Sequence, residues 1–121
     1  MSDKIIIAGG RDFNDRPLVD IAMDNLLGDI FSVEIVSGGA RGADYIGEEW
    51  ARAFDQKLTI MRAQWDQFGR SAGPKRNLDM AKYADTLVAF WDGKSRGTSH
   101  MIDTALKEGL EVHVYRYTNE V

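Results

Sequence analysis

The strongest constraint on this chain is an alternation of two patterns. Short apolar runs fall at about 4–8, 33–37, 58–61, 86–91 and 111–115, and amphipathic stretches separate them. Each run is of strand length and too short to be an independent buried helix. The clearest is Thr86-Leu87-Val88-Ala89-Phe90-Trp91, whose continuous apolar character suits a parallel strand covered on both faces. Between the runs, helical spacing is plain. Asn14 or Asp15 is placed to cap a helix with Pro17 in its first turn, Leu18, Ile21, Ala22 and Leu26 on its apolar face and Gly28 as its stop. A second inner face is Ala43, Ile46, Trp50, Ala51 and Phe54. A short helix is expected from Pro74 to Tyr83, and a last one presents Met101, Ile102, Ala105 and Leu106. Five strands alternating with four helices give an α/β class: one doubly wound three-layer domain over 1–121, with a five-stranded parallel sheet. Right-handed crossovers place helices on both faces.

Ligands of such sheets bind beyond the C-terminal strand ends, near the point where strand order reverses. Three of these strands end in loops that combine glycine with arginine, and all three loops share that edge. They are Gly9-Gly10-Arg11-Asp12, the segment from Ser37 through Gly38, Gly39, Ala40, Arg41 and Gly42 to Asp44, and the segment Asp92-Gly93-Lys94-Ser95-Arg96-Gly97-Thr98. Backbone N–H groups at a helix N-terminus, reached through glycines, attract phosphate, and the arginine fork binds two oxygens at once. A phosphate-bearing ligand follows. The loops are not the ordinary dinucleotide fingerprint, because the first reads G-G-R-D-F rather than G-x-G-x-x-G, and no P-loop triplet occurs. Arg62 to Ala72 is the one long connection, and it carries Trp65, Phe68 and Arg70. Its aromatic residues either stack on a base or pack an Ω-loop.

Composition narrows the class further. With 121 residues, 44% apolar and 28% charged, the chain is ordinary for a soluble domain. It has no cysteine, which removes disulfides, thiolate nucleophiles and cysteine-based metal sites; no metal is expected. No apolar run is long enough to span a membrane, and Met1-Ser2-Asp3-Lys4 lacks a signal-peptide pattern, so a cytoplasmic protein is expected. A net charge of −4 argues against a general nucleic-acid binder.

The segments IIIAGGRDF, VSGGARGADYIGEEWA and AGPKRNLDMAKYADTLVAFWDGKSRGTSHMIDTA together resemble the YspA-type, cpYpsA-related branch of the SLOG superfamily. That branch is distantly related to YpsA, DprA and the Lonely-Guy-type phosphoribohydrolases. The resemblance runs from Ile5 to about Val114 and implies a Rossmann-like fold with a central first strand and a sheet order of 3-2-1-4-5. It also implies a nucleotide-derived ligand such as ADP-ribose or an NAD-related molecule. The Lonely-Guy-type enzymes place an Arg four residues before a Met, and Arg76 with Met80 fits. They also place a Glu three residues after the Gly-Thr of the last loop, where this chain has Met101, flanked by His100 and with Asp103 two residues on. Methionine cannot act as an acid or base.

The candidate ligand-binding residues are therefore those of the three loops other than Ala40, Ala43 and Lys94, together with Arg76 and Asn77. No catalytic residue is assigned; Arg76 with a carboxylate such as Asp44, Glu48 or Asp12 would carry any reaction. Each has a plain structural alternative. The arginines pair with Asp12, Asp44 and Asp92, or Asp44 and Glu48 offset a helix dipole. Asn77 holds a loop, and Trp91 packs in the core. A module that senses or sequesters a nucleotide-derived ligand is the leading reading. A nucleotide-processing N-glycosidase or phosphoribohydrolase-like enzyme comes second, and a nucleic-acid partner of DprA type third. Trp50, Phe54, Met80 and Tyr83 are the candidates for a homodimer or higher homo-oligomer contact.

Overall fold

The computed structural model of the protein describes residues 3–29 and 32–118. Strand β1 is Asp3–Gly9, and its run of isoleucines feeds both faces of the sheet, because successive side chains point to opposite sides. Ile5 and Ile7 join Val19, Met23, Ile35 and Trp50 in one core cluster; Ile6 and Ala8 join Val36, Met80, Leu87 and Met101 in the other. The first cluster lies under helices α1 (Arg16–Leu27) and α2 (Ala43–Ala53). The second lies under α4 (Ala72–Tyr83) and α5 (Arg96–Lys107). This is the expected three-layer arrangement.

The remaining strands are β2 (Val33–Ser37), β3 (Lys57–Ile60), β4 (Thr86–Trp91) and β5 (Glu111–Arg116). All neighbours pair in parallel, in the order β3-β2-β1-β4-β5. The chain leaves β1 toward β2 on one side and returns to β4 on the other, so the switch point falls between β1 and β4. Local chemistry sets the helix starts. Asp15, rather than Asn14, caps α1 by accepting from the Leu18 amide at 3.1 Å, and Ser95 caps α5 by accepting from the Thr98 amide. Gly28 ends α1 with a φ of 53°, a conformation that costs glycine little.

The long connection is more structured than its sequence indicates. It holds a short helix α3 (Trp65–Phe68) and a 3₁₀ turn at Gly69–Ser71, which runs straight into α4 two residues before Pro74. One buried carboxylate interrupts the apolar pattern of β2. Glu34 is 3% exposed and receives hydrogen bonds from Thr59 (2.7 Å) and Tyr83, with Lys57 at 3.3 Å. Burial alone would raise its pKa, but these donors and the lysine charge hold it below the ordinary carboxylate value. Among the described residues no helix is long and apolar enough to cross a membrane.

Candidate functional site

A cavity of about 1020 Å³ opens at the C-terminal strand ends, over the switch point. The loop after β1 brings Gly9, Gly10, Arg11 and Asp12 to its wall. The segment after β2 brings Arg41 and Asp44, and the loop after β4 brings Asp92, Ser95, Arg96, Gly97 and Thr98. The first turns of α4 complete it with Arg76 and Asn77. Thirteen of the predicted residues thus share one wall.

The N-terminal end of α5 faces the cavity. Asp92 accepts from the amides of Lys94 and Ser95, both at 2.8 Å, and these bonds hold its carboxyl below the ordinary range. Ser95 then satisfies Thr98. Among the described residues, the amides of Arg96 and Gly97 are left with no protein acceptor, and both residues line the cavity. Unsatisfied first-turn amides carry the positive end of the helix dipole. Trp91, expected in the core, is half-buried; its indole donates to Ser95 O at 3.1 Å, and Arg116 lies over its ring.

The second loop works differently from its sequence reading. The amides of Gly39 and Ala40 turn inward, donating to Ser37 Oγ (3.0 Å) and Asp44 Oδ2 (3.2 Å). Its outward carbonyls instead hold guanidiniums: Arg76 donates to Gly38 O at 2.6 Å and Arg62 to Gly39 O at 2.9 Å. A Cβ on Gly38 would lie 2.5 Å from Arg76 Nη1, and one on Gly39 would lie 2.8 Å from Arg62 Nη1. The two glycines make room for the two arginines.

Burial shapes the charges here. Asp44 is 6% exposed, and desolvation raises its carboxyl to about 6 despite the Ala40 amide and the Arg76 charge. Desolvation likewise lowers the pKa of Arg76, against the pull of Asp44. Neither Arg11, Arg41, Arg76 nor Arg96 forms an ion pair among the described residues. Asp12 accepts from Tyr117 Oη at 2.8 Å, which ties the first loop to the chain beyond β5.

Asn77, 6% exposed, fixes two neighbours at once. Its Oδ1 accepts from Arg76 Nε at 3.1 Å, so its Nδ2 faces His100 Nδ1, also at 3.1 Å. Arg76 Nε can only donate, which settles the amide orientation. With the amide in that orientation, Nδ2 donates to His100 Nδ1.

Other predicted residues sit away from the cavity. Ser37 and Glu48 are buried together, with Ser37 Oγ donating to Glu48 at 2.7 Å and Arg52 of α2 at 3.6 Å from the same carboxylate. Gly42 packs under the first loop, where a Cβ would strike Gly10 O, and Gly93 lies against the Arg116 guanidinium. Trp50 and Met80, candidates for self-contact, are core residues at 4% and 2% exposure, whereas Phe54 is 52% exposed. The wall also contains residues outside the predicted set: Trp65, Gly73, Pro74, His100 and Met101. Met101 brings no carboxylate to the position where the Lonely-Guy-type enzymes have one. Arg62, two residues beyond the end of β3, carries the same signal as the three loops, an arginine near a C-terminal strand end.

These features define a doubly wound α/β protein with its main crevice at the topological switch point. Its backbone superposes with a TM-score of 0.76 on the X-ray structure of DNA processing protein A (DprA) from Streptococcus pneumoniae, at 16% identity. The match covers 98% of this chain and 52% of DprA, so the chain spans about half of that protein's length, and the likeness concerns the fold alone. Residues 3–68 match the model of the YspA, cpYpsA-related SLOG family, and the chain belongs to that family. It is also 37% identical over 116 residues to the Gene 61 protein of Mycobacterium phage D29, covering 90% of this chain and 93% of the relative.

Proposed function

We propose that this protein binds a nucleotide-derived ligand, of ADP-ribose or NAD-related type, as a sensor or sequestering module of bacterial or phage type. One observation carries the reading. Arg11, Arg41, Arg76 and Arg96 line one cavity together with the two unsatisfied amides that begin α5. The facing carboxylates have other work: Asp92 holds its own loop, Asp12 receives Tyr117, and Asp44 receives Ala40. Asp12 and Asp44 also suit ribose hydroxyls, and Trp65, 50% exposed at the rim, offers a stacking face to a base.

Native mass spectrometry of the purified protein, followed by calorimetry with NAD, ADP-ribose and the nucleoside monophosphates, tests this. A retained ligand or micromolar binding is expected. The absence of both across the series would sink the reading. A turnover reading is favoured by one feature, the Asp44 carboxyl raised to about 6 on the cavity wall, within reach of acid–base work near neutral pH. Chromatography of the incubated ligands separates the two, since a binding module returns them intact. A nucleic-acid role is disfavoured by the net charge of −4, and salt-independent passage over immobilised DNA is expected.

A further inference from the structure

Beside the main cavity lies a recess of about 400 Å³, and Arg11, Ala40, Arg41, Trp65 and Arg76 belong to the walls of both. Its charge is one-sided. Among the described residues, Arg11, Arg41, Arg62 and Arg76 line it and no carboxylate does; Asp44 lies behind Gly38, where a Cβ would fall 2.8 Å from its Oδ2, and lines the main cavity with Asp12 and Asp92. The recess is also held in shape. Arg62 and Arg76 are anchored on the successive carbonyls of Gly39 and Gly38, at 2.9 and 2.6 Å, and either glycine would clash with its arginine if it bore a Cβ. Arg62 is anchored through Nη1 and Arg76 through Nη1 and Nε, which leaves Nη2 of each guanidinium to meet an incoming group. Arg41 is exposed and forms no ion pair among the described residues.

We infer that this recess is a second anion subsite, and that the ligand class is a nucleotide carrying a diphosphate rather than a single phosphoryl group. One phosphoryl group meets Arg11 and Arg76 on the wall that the two cavities share, and the next lies in the recess toward Arg62 and Arg41. The carboxylates of the main cavity leave the nucleoside part there, where hydroxyls and amino groups find acceptors. This inference rests on the nucleotide reading above and adds Arg62 to the residues that read the ligand.

The test is isothermal titration of the full chain, Arg62→Ala and Arg41→Ala. The probes are the four ribonucleoside monophosphates, their diphosphates and inorganic pyrophosphate. The parent is expected to bind a diphosphate at least about tenfold more tightly than the matching monophosphate, as one added charge-assisted contact implies. Each variant is expected to narrow that preference to less than about threefold, and to weaken pyrophosphate by about tenfold. A parent that binds both nucleotide forms equally, or variants that keep the full preference, would overturn the subsite. If no nucleotide binds, the nucleotide reading fails separately. Pyrophosphate binding that disappears in Arg62→Ala would still support the subsite, and no pyrophosphate binding would overturn it too. Circular dichroism checks that each variant is folded, and Arg41→Ala decides alone if Arg62→Ala is not.

Discussion

Asp44→Asn isolates what it costs this fold to bury a charge under its candidate site. The carboxyl is 6% exposed, and burial raises it from 3.8 to about 6. The folded state thus holds this proton more tightly than the unfolded chain does. Its contribution to stability is full below about pH 4 and is lost as pH rises through about 6. At about 1.36 kcal/mol per pH unit, the step from 3.8 to about 6 amounts to about 3 kcal/mol. Asparagine keeps an oxygen for the Ala40 amide, 3.2 Å away, and carries no charge at any pH. Urea unfolding followed by circular dichroism should therefore place the variant within about 1 kcal/mol of the parent near pH 4 and up to about 3 kcal/mol above it at pH 7.5. Glu34 and Asp92, whose pKa values are lowered, contribute stability that is lost only as pH falls below the ordinary carboxylate range. They act equally in both proteins and cancel in the difference. A gap between variant and parent that is the same at both pH values would refute the reasoning.

Arg76→Ala should weaken binding of the ligand by about ten- to a hundredfold in calorimetry, for a lost charge-assisted contact of about 1.5–3 kcal/mol. It should also raise the Asp44 carboxyl further, visible by NMR titration, because Arg76 is one of the charges that restrain it. Gly47→Ala places a methyl 2.8 Å from Ile7 Cβ and should lower stability by up to about 2 kcal/mol in urea. Overpacking of about 1–3 kcal/mol outweighs the helix-propensity gain of about 1 kcal/mol. Light scattering at micromolar concentration should give a dimer mass, which Phe54→Asp reduces to a monomer; a monomeric parent would count against assembly through this exposed ring.

Continuous apolar runs made the strands legible, because a strand covered on both faces has no polar side to blur the pattern. Helix α3 was not legible, since Trp65 and Phe68 point no repeating stripe at the core. The start of α4 read two residues late because Pro74 looks like a beginning, although a proline anywhere in the first turn sacrifices no helical hydrogen bond. At the site, glycine-plus-arginine loops indicated which edge to examine. They did not indicate what the glycines do: Gly38 makes room for an arginine 38 residues away, which only the folded chain brings to it. Helical spacing grouped Asp44 with Glu48, yet one carboxylate borders the cavity and the other is bound to Ser37. Large apolar residues at helical spacing made Trp50 and Met80 candidates for a contact between copies, but the two core layers absorb them.

Placing β1 at the centre of the sheet has a consequence for how the chain is made. Its two edges are completed at very different times. β2 follows after one helix, but β4 joins only when Ile5 meets Thr86, and the Lys4 amide reaches the Asp85 carboxyl across 81 residues. Closing so long a loop is entropically costly and slows folding. Until then the emerging chain carries three isoleucines on a strand with one row of backbone donors and acceptors open, the kind of edge that invites pairing with a second nascent chain. Synthesis interrupted anywhere before Thr86 leaves the central strand of this fold exposed along one entire side.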